Sequence, residues 1–147
     1  MASPASDQAA GDPSPAWVAA LVAIPGLPLL ARLLLASPFI GSGFGKLADF
    51  VGATVEAEAL GLRPPALVAA AVIVVQLGGS ALFLTRRWCW LGAGLLAGFT
   101  VSATLIAHPF WSYEGPDRAR QTATFFEHAA IVGGFLAAAL LVHRRRP

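Results

Sequence analysis

The sequence predicts an all-α membrane protein, a bundle of four transmembrane helices, on three observations. Of its 147 residues 56% are hydrophobic and 12% charged, about half the charged fraction of a typical soluble domain. The apolar residues gather into four runs of about 17 to 21 residues, the length at which a helix crosses a hydrocarbon layer. Nearly all the charged residues fall between those runs, where water and lipid headgroups can reach them. A chain this short makes one domain, and a soluble domain of that size has too little interior to hide so much apolar surface.

Along the chain, residues 1–15 are mostly Ala, Ser, Pro, Asp and Gln with no basic residue, so they lack the positive start of a secretory signal and read as a disordered tail. Residues 16–143 form the membrane domain. Its first piece, Ala16 to Ile24, is apolar but is interrupted by Pro25 and Pro28, and reads as a segment at the membrane surface. The four spans are placed at about 27–47, 66–84, 91–107 and 124–142. Pro64 and Pro65 open the second, where a missing N–H costs nothing. Arg86 and Arg87 close it, and the short link that follows makes the second and third helices antiparallel neighbours. Residues 144–147 are a basic tail.

Composition also narrows function. The net charge is only +2, and no basic stripe interleaved with aromatics is present, so nucleic acid is not an expected partner. Cys89 is the single cysteine, which excludes dithiol chemistry within one chain. Lying between Trp88 and Trp90, it reads as an inert interfacial residue. No phosphate-binding glycine loop, nucleophile elbow or zinc signature occurs.

Basic residues resist translocation, so the arginines of short loops orient the bundle. Arg86, Arg87 and Arg144 to Arg146, helped by Arg32, outweigh Lys46, Arg63, Arg118 and Arg120, which puts both termini in the cytoplasm. The cell (plasma) membrane, the inner one in a double-membraned bacterium, is the expected location.

Two polar sets stand out against the apolar background. Arg32 lies about five residues into the first span and Gln76 about eight from the inner end of the second, at similar depths by helical rise. A guanidinium in hydrocarbon needs a partner or a watery cavity, so Arg32 with Gln76 is a candidate intramembrane site. The competing reading has Arg32 snorkelling to headgroups and Gln76 bonding a backbone carbonyl. At the outer level Lys46, His108, Glu127 and His128 lie near one plane. Glu127 and His128 point about 100° apart on a helix, a poor pair for one ion, so no metal site is expected. A Lys46–Glu127 ion pair with the histidines hydrogen-bonded nearby, or a proton-handling role for the imidazoles, fits better. Trp111 and Tyr113 read as interfacial belt aromatics. Small residues recur at four-residue spacing, as Ser37, Gly41 and Gly45, then Gly94 and Gly98, then Ala130, Gly134 and Ala138. Such stripes serve close helix packing inside the chain or a homo-oligomer seam.

Several of these segments together resemble the DoxX family. They are ArgLeuLeuLeu from Arg32, SerGlyPheGlyLysLeu from Ser42, GlnLeuGlyGly from Gln76, HisProPheTrp from His108 and PhePheGluHisAlaAlaIleValGlyGly from Phe125. The resemblance implies four transmembrane helices. It also implies a redox setting, since archaeal members are a subunit of a thiosulfate:quinone oxidoreductase and some bacterial members are tied to membrane redox complexes and oxidative-stress defence. Quinone is the cofactor implied, and other subunits of a membrane redox complex are the partners. Gln76 stands where the family often has glutamate, and Glu127-His128 where lysine-asparagine is frequent, so no catalytic set carries over. The expected function is a subunit or partner of a quinone-linked oxidoreductase or redox-stress complex, more a non-catalytic component than an enzyme on its own. The alternatives are a small-solute permeation bundle lined by Arg32 and Gln76, or a structural assembly factor.

Overall fold

A computed structural model describes residues 15–144; of the tails expected at 1–15 and 144–147 all but Pro15 and Arg144, the last residue of α6, lie outside the described residues. Among the described residues every regular element is helical: α1 (Ala16–Val22), α2 (Leu27–Ala48), α3 (Phe50–Ala59), α4 (Pro65–Leu84), α5 (Cys89–Ala107), a single 3-10 turn (Phe110–Ser112) and α6 (Gly115–Arg144). Four of these, α2, α4, α5 with the turn after it, and α6, are long and apolar enough to cross a bilayer. Each overlaps one of the four spans read from the sequence. α6 is longer than expected, starting at Gly115 rather than near residue 124. At about 1.5 Å per residue its 30 residues exceed a hydrocarbon layer of roughly 30 Å. Its first turns, with Asp117, Arg118 and Arg120, therefore stand in the headgroup region or beyond.

α3 is a helix the hydropathy pattern does not announce. Asp49 caps its start, its carboxylate accepting from the Gly52 N–H at 2.8 Å. At its end Gly61 takes φ +73°, which lets the Gly61 N–H reach the Glu58 carbonyl and the Leu62 N–H reach the Ala57 carbonyl. That paired closure satisfies carbonyls a helix end otherwise leaves bare. The buried Ala53 and Ala57 seat α3 against α4.

The spanning helices pack in chain order, α2 on α4, α4 on α5, α5 on α6, and a lighter contact between α6 and α2 closes the ring. Thr85 makes the α4–α5 link tight: its hydroxyl donates to the Leu82 carbonyl at 2.7 Å and accepts from the Trp88 N–H at 3.1 Å. Pro38 sits inside α2, where its missing N–H frees the Leu34 carbonyl; the Ser37 hydroxyl donates to that carbonyl at 2.8 Å instead. The core is an aromatic knot with one phenylalanine from each spanning helix. Phe135 lies 4.9 Å from Phe83 and 5.4 Å from Phe39, and Phe39 meets Phe99 edge-on at 6.1 Å, between ring centres.

Glycine sets the closest approach, but not the stripes expected to. A Cβ at Gly92 would stand 2.2 Å from the Phe83 nitrogen and 2.6 Å from the Gly79 carbonyl oxygen, so α4 and α5 touch backbone to backbone there. By contrast Gly41, Gly45, Gly94 and Gly98 have open space where a Cβ would lie. Of the expected packing glycines only Gly134 meets another helix, through Leu35. Four-residue spacing identifies a face, but not which way it turns. Cys89, at the first residue of α5, is buried in the core cluster.

Candidate functional site

The polar residues singled out from the sequence fall into three places. At the end of the bundle where α2 begins, Arg32 is 7% exposed and its guanidinium is spent on backbone. Nη1 donates to the carbonyls of Phe83, Leu84 and Thr85 at 3.1 to 3.3 Å, and Nε donates to the Pro28 carbonyl at 3.2 Å. A helix leaves its last carbonyls unpaired and its C-terminus partly negative, so a cation there is doubly favoured. Arg32 thus caps a helix other than its own.

Gln76 lies seven residues before Phe83 on α4, about 10 Å away at helical rise, so Arg32 and Gln76 do not meet. Its Nε2 donates to the Ser42 hydroxyl at 3.2 Å, beside the α2–α4 crossing where a Cβ on Gly43 would strike Leu77. Gln76 Oε1 and the hydroxyl of Ser80, one turn on, are buried without a hydrogen-bond partner among the described residues. The similar depth inferred by counting from helix ends misplaces Arg32, whose long side chain reaches back past the first turn of α2.

At the opposite end the outer set divides in two. Lys46, at the end of α2, pairs with Glu56 of α3, not with Glu127 as expected. The cause is α3, which folds back over the end of α2. His108 and His128 do come together, their rings meeting edge to face with centres 5.2 Å apart. His108 Nδ1 lies 2.7 Å from Gln121 Oε1, which can only accept, so that nitrogen carries the proton. His128 Nδ1 lies 2.7 Å from the Thr104 hydroxyl, whose own proton goes to the Thr100 carbonyl at 2.6 Å, so this nitrogen too is the donor. With Nδ1 donating, Nε2 is the nitrogen at which either ring gains or loses a proton. Glu127, exposed on α6, joins neither pair. Trp111 and Tyr113 sit at the foot of α5 and are exposed, Trp111 in an aromatic group with Phe110 and Phe125.

Glu56, Ser42, Thr104 and Gln121 complete these contacts and were not picked out from sequence. Gln121 had a usable signal, seven residues before His128 on one helix and thus near the same face. Glu56 had none, because its contact depends on α3.

The DoxX family model matches residues 27–109, more than half the chain, taking in Arg32, Lys46, Gln76 and His108. The chain belongs to the DoxX family. This DoxX protein is 28% identical over 116 residues to inner membrane protein YphA of Escherichia coli (strain K12), a match covering 79% of this chain and 83% of that one. It is 30% identical over 112 residues to inner membrane protein YqjF of the same organism, covering 76% and 81%. No solved structure matches. With four spanning helices and these relatives, the DoxX chain is a multi-pass integral membrane protein.

Proposed function

We propose that this DoxX chain is a non-catalytic subunit of a quinone-linked oxidoreductase or redox-stress assembly, seated in the cytoplasmic membrane with both termini inside. The observation that carries the reading is the outward set of glycines. Helices in lipid associate by close packing and not by hiding oil from water, so small residues mark the faces that meet other helices. Gly43, Gly79 and Gly92 already serve that purpose within the chain, whereas Gly41, Gly45, Gly94 and Gly98 face open space. Those faces fit neighbouring subunits. The redox setting comes from what the family resemblance implies, and Arg32, spent on backbone carbonyls, fits a structural role in such a subunit.

Charge supports the orientation. In sequence, Arg32, Arg86, Arg87 and Arg144 to Arg146 belong to the end where α2 begins and outnumber Lys46, Arg63, Arg118 and Arg120 at the other.

The test replaces Gly94 and Gly98 together by leucine and follows quinone-linked oxidoreductase activity in membranes beside the chain's abundance and its size on native gels. Loss of a larger complex and of activity at normal abundance is expected. Activity and migration both unchanged at normal abundance would remove the subunit reading.

A further inference from the structure

α3 and α5 each pack on α4, and the space between them is not filled. A cavity of about 350 Å³ lies there, within the range of small-molecule sites. The sequence explains why it exists: Ala53 and Ala57 of α3, Ala69 of α4, and Ala103 and Ala107 of α5 all line it, and side chains this short leave the gap unbridged. Phe99 and Val72 add a wider apolar wall. The exposed Ser102 and Ile106 of α5 and Glu56 and Leu60 of α3 border its open side, near the end of the bundle where α2 and α5 finish.

The polar groups at this mouth define the chemistry it accepts. Lys46 is only 20% exposed and Glu56 58% exposed, and the two are paired, so the mouth is bipolar with no net charge. An anion meets Glu56 and a cation meets Lys46, each at a cost in a site with apolar walls. The Lys46 ammonium holds three donors, of which Glu56 takes one, and the Ser102 hydroxyl donates to the Gly98 carbonyl at 2.9 Å, leaving its oxygen free to accept. A guest that both accepts from Lys46 and donates to Ser102 or Glu56 satisfies this mouth.

We propose that the α3–α4–α5 cavity is a binding site for an uncharged amphiphile of phenol type, with an apolar ring body among the alanines and a hydroxylated end on the Lys46–Glu56 pair. The proposal does not rest on the subunit reading, and because Gly94, Gly98, Ser102 and Ile106 follow at four-residue spacing on α5, a subunit packed on those glycines borders this mouth; the chain alone in nanodiscs tests the site without it.

The alanine lining supplies its own probe. The full chain, with alanine methyls labelled, is placed in nanodiscs of a single synthetic phosphatidylcholine and titrated with naphthol, the uncharged ring-hydroxyl probe, followed by methyl NMR. Saturable shifts are expected at Ala53, Ala57, Ala69, Ala103 and Ala107 and not at Ala36 or Ala93 of the core. Naphthol should bind about tenfold more tightly than naphthalene or naphthoate. Ala103→Phe and, from the other wall, Ala57→Leu should each abolish saturation, so that one well-folded variant suffices. Lys46→Met with Glu56→Gln should bring naphthol down to the level of naphthalene.

Three results would overturn the proposal. One is a linear drift shared by all alanine methyls, which is simple partitioning. Another is equal binding of naphthalene and naphthol to the native chain. The last is contact from lipid acyl chains that saturating naphthol does not displace, which makes the cavity a seat for a lipid tail.

Discussion

The two ends of this bundle handle charge in opposite ways. Where α2 begins, Arg32 is buried and held by the carbonyls of three consecutive residues at the end of α4, groups that cannot rotate away. Where α2 ends, Lys46 is held by Glu56, one flexible side chain on another, at the mouth of a cavity. The first arrangement stitches two helices together, and Gly92 tightens the same region by letting α4 and α5 meet at backbone distance. The second can open without unfolding anything. A cation bound to fixed dipoles builds structure, and a cation bound to a mobile partner leaves a site.

Substitutions can break that contrast, and the tight end should yield the largest effects. Gly92→Ala places a methyl against the Phe83 nitrogen and the Gly79 carbonyl, which only a separation of α4 from α5 relieves. A loss of about 3 kcal/mol, the upper part of the usual range for overpacking, is expected in steric-trapping or denaturant measurements in micelles. A loss below about 0.5 kcal/mol, the level of a neutral surface change, would mean that the contact is loose. Arg32→Leu should come next, at about 2 kcal/mol, because it bares the terminal carbonyls of α4 in an apolar setting. Arg32→Lys should recover only part of this, since one ammonium cannot reproduce the spread of guanidinium contacts. Full recovery by lysine would reduce the cap to a simple charge effect.

The loose end should give the smallest change. A double-mutant cycle on Lys46 and Glu56 is expected to return a coupling of about 0.5 kcal/mol, as partly exposed ion pairs do. The same cycle on Lys46 and Glu127 should return zero. A coupling at the first pair as large as the Arg32 effect would erase the distinction between the two ends.

What could be read from sequence follows the same division. The spans were legible because lipid imposes a length and an apolar composition that any run must meet. The proximity of His108 and His128 was legible too, since both lie close to the same end of their spans. α3 was not, because ten residues carrying Glu56 and Glu58 are too short and too polar to read as a span, and its caps at Asp49 and Gly61 appear only once the backbone is in place. Arg32 and Gln76 were rightly noticed as unusual, but their partners were not legible. Backbone carbonyls at a helix end carry no residue type, so no pattern in the sequence points to Phe83, Leu84 and Thr85. The glycine stripes show the same limit from the other side: spacing picked Gly94 and Gly98, yet Gly92, two residues away on the same helix, makes the contact.

The cap on α4 also bears on how the chain is made. Arg32 precedes Phe83 by 51 residues, so it leaves the ribosome well before the carbonyls that will hold it exist. Until then its guanidinium has no shelter in hydrocarbon and must stay with water or the insertion machinery. The hairpin of α2 and α4, with α3 between them, is therefore expected to settle in the bilayer as one unit. A translational pause placed before Thr85 should trap the nascent chain with α2 still retrievable by alkaline extraction, and one placed late in α6, once the end of α4 has cleared the ribosome, should not.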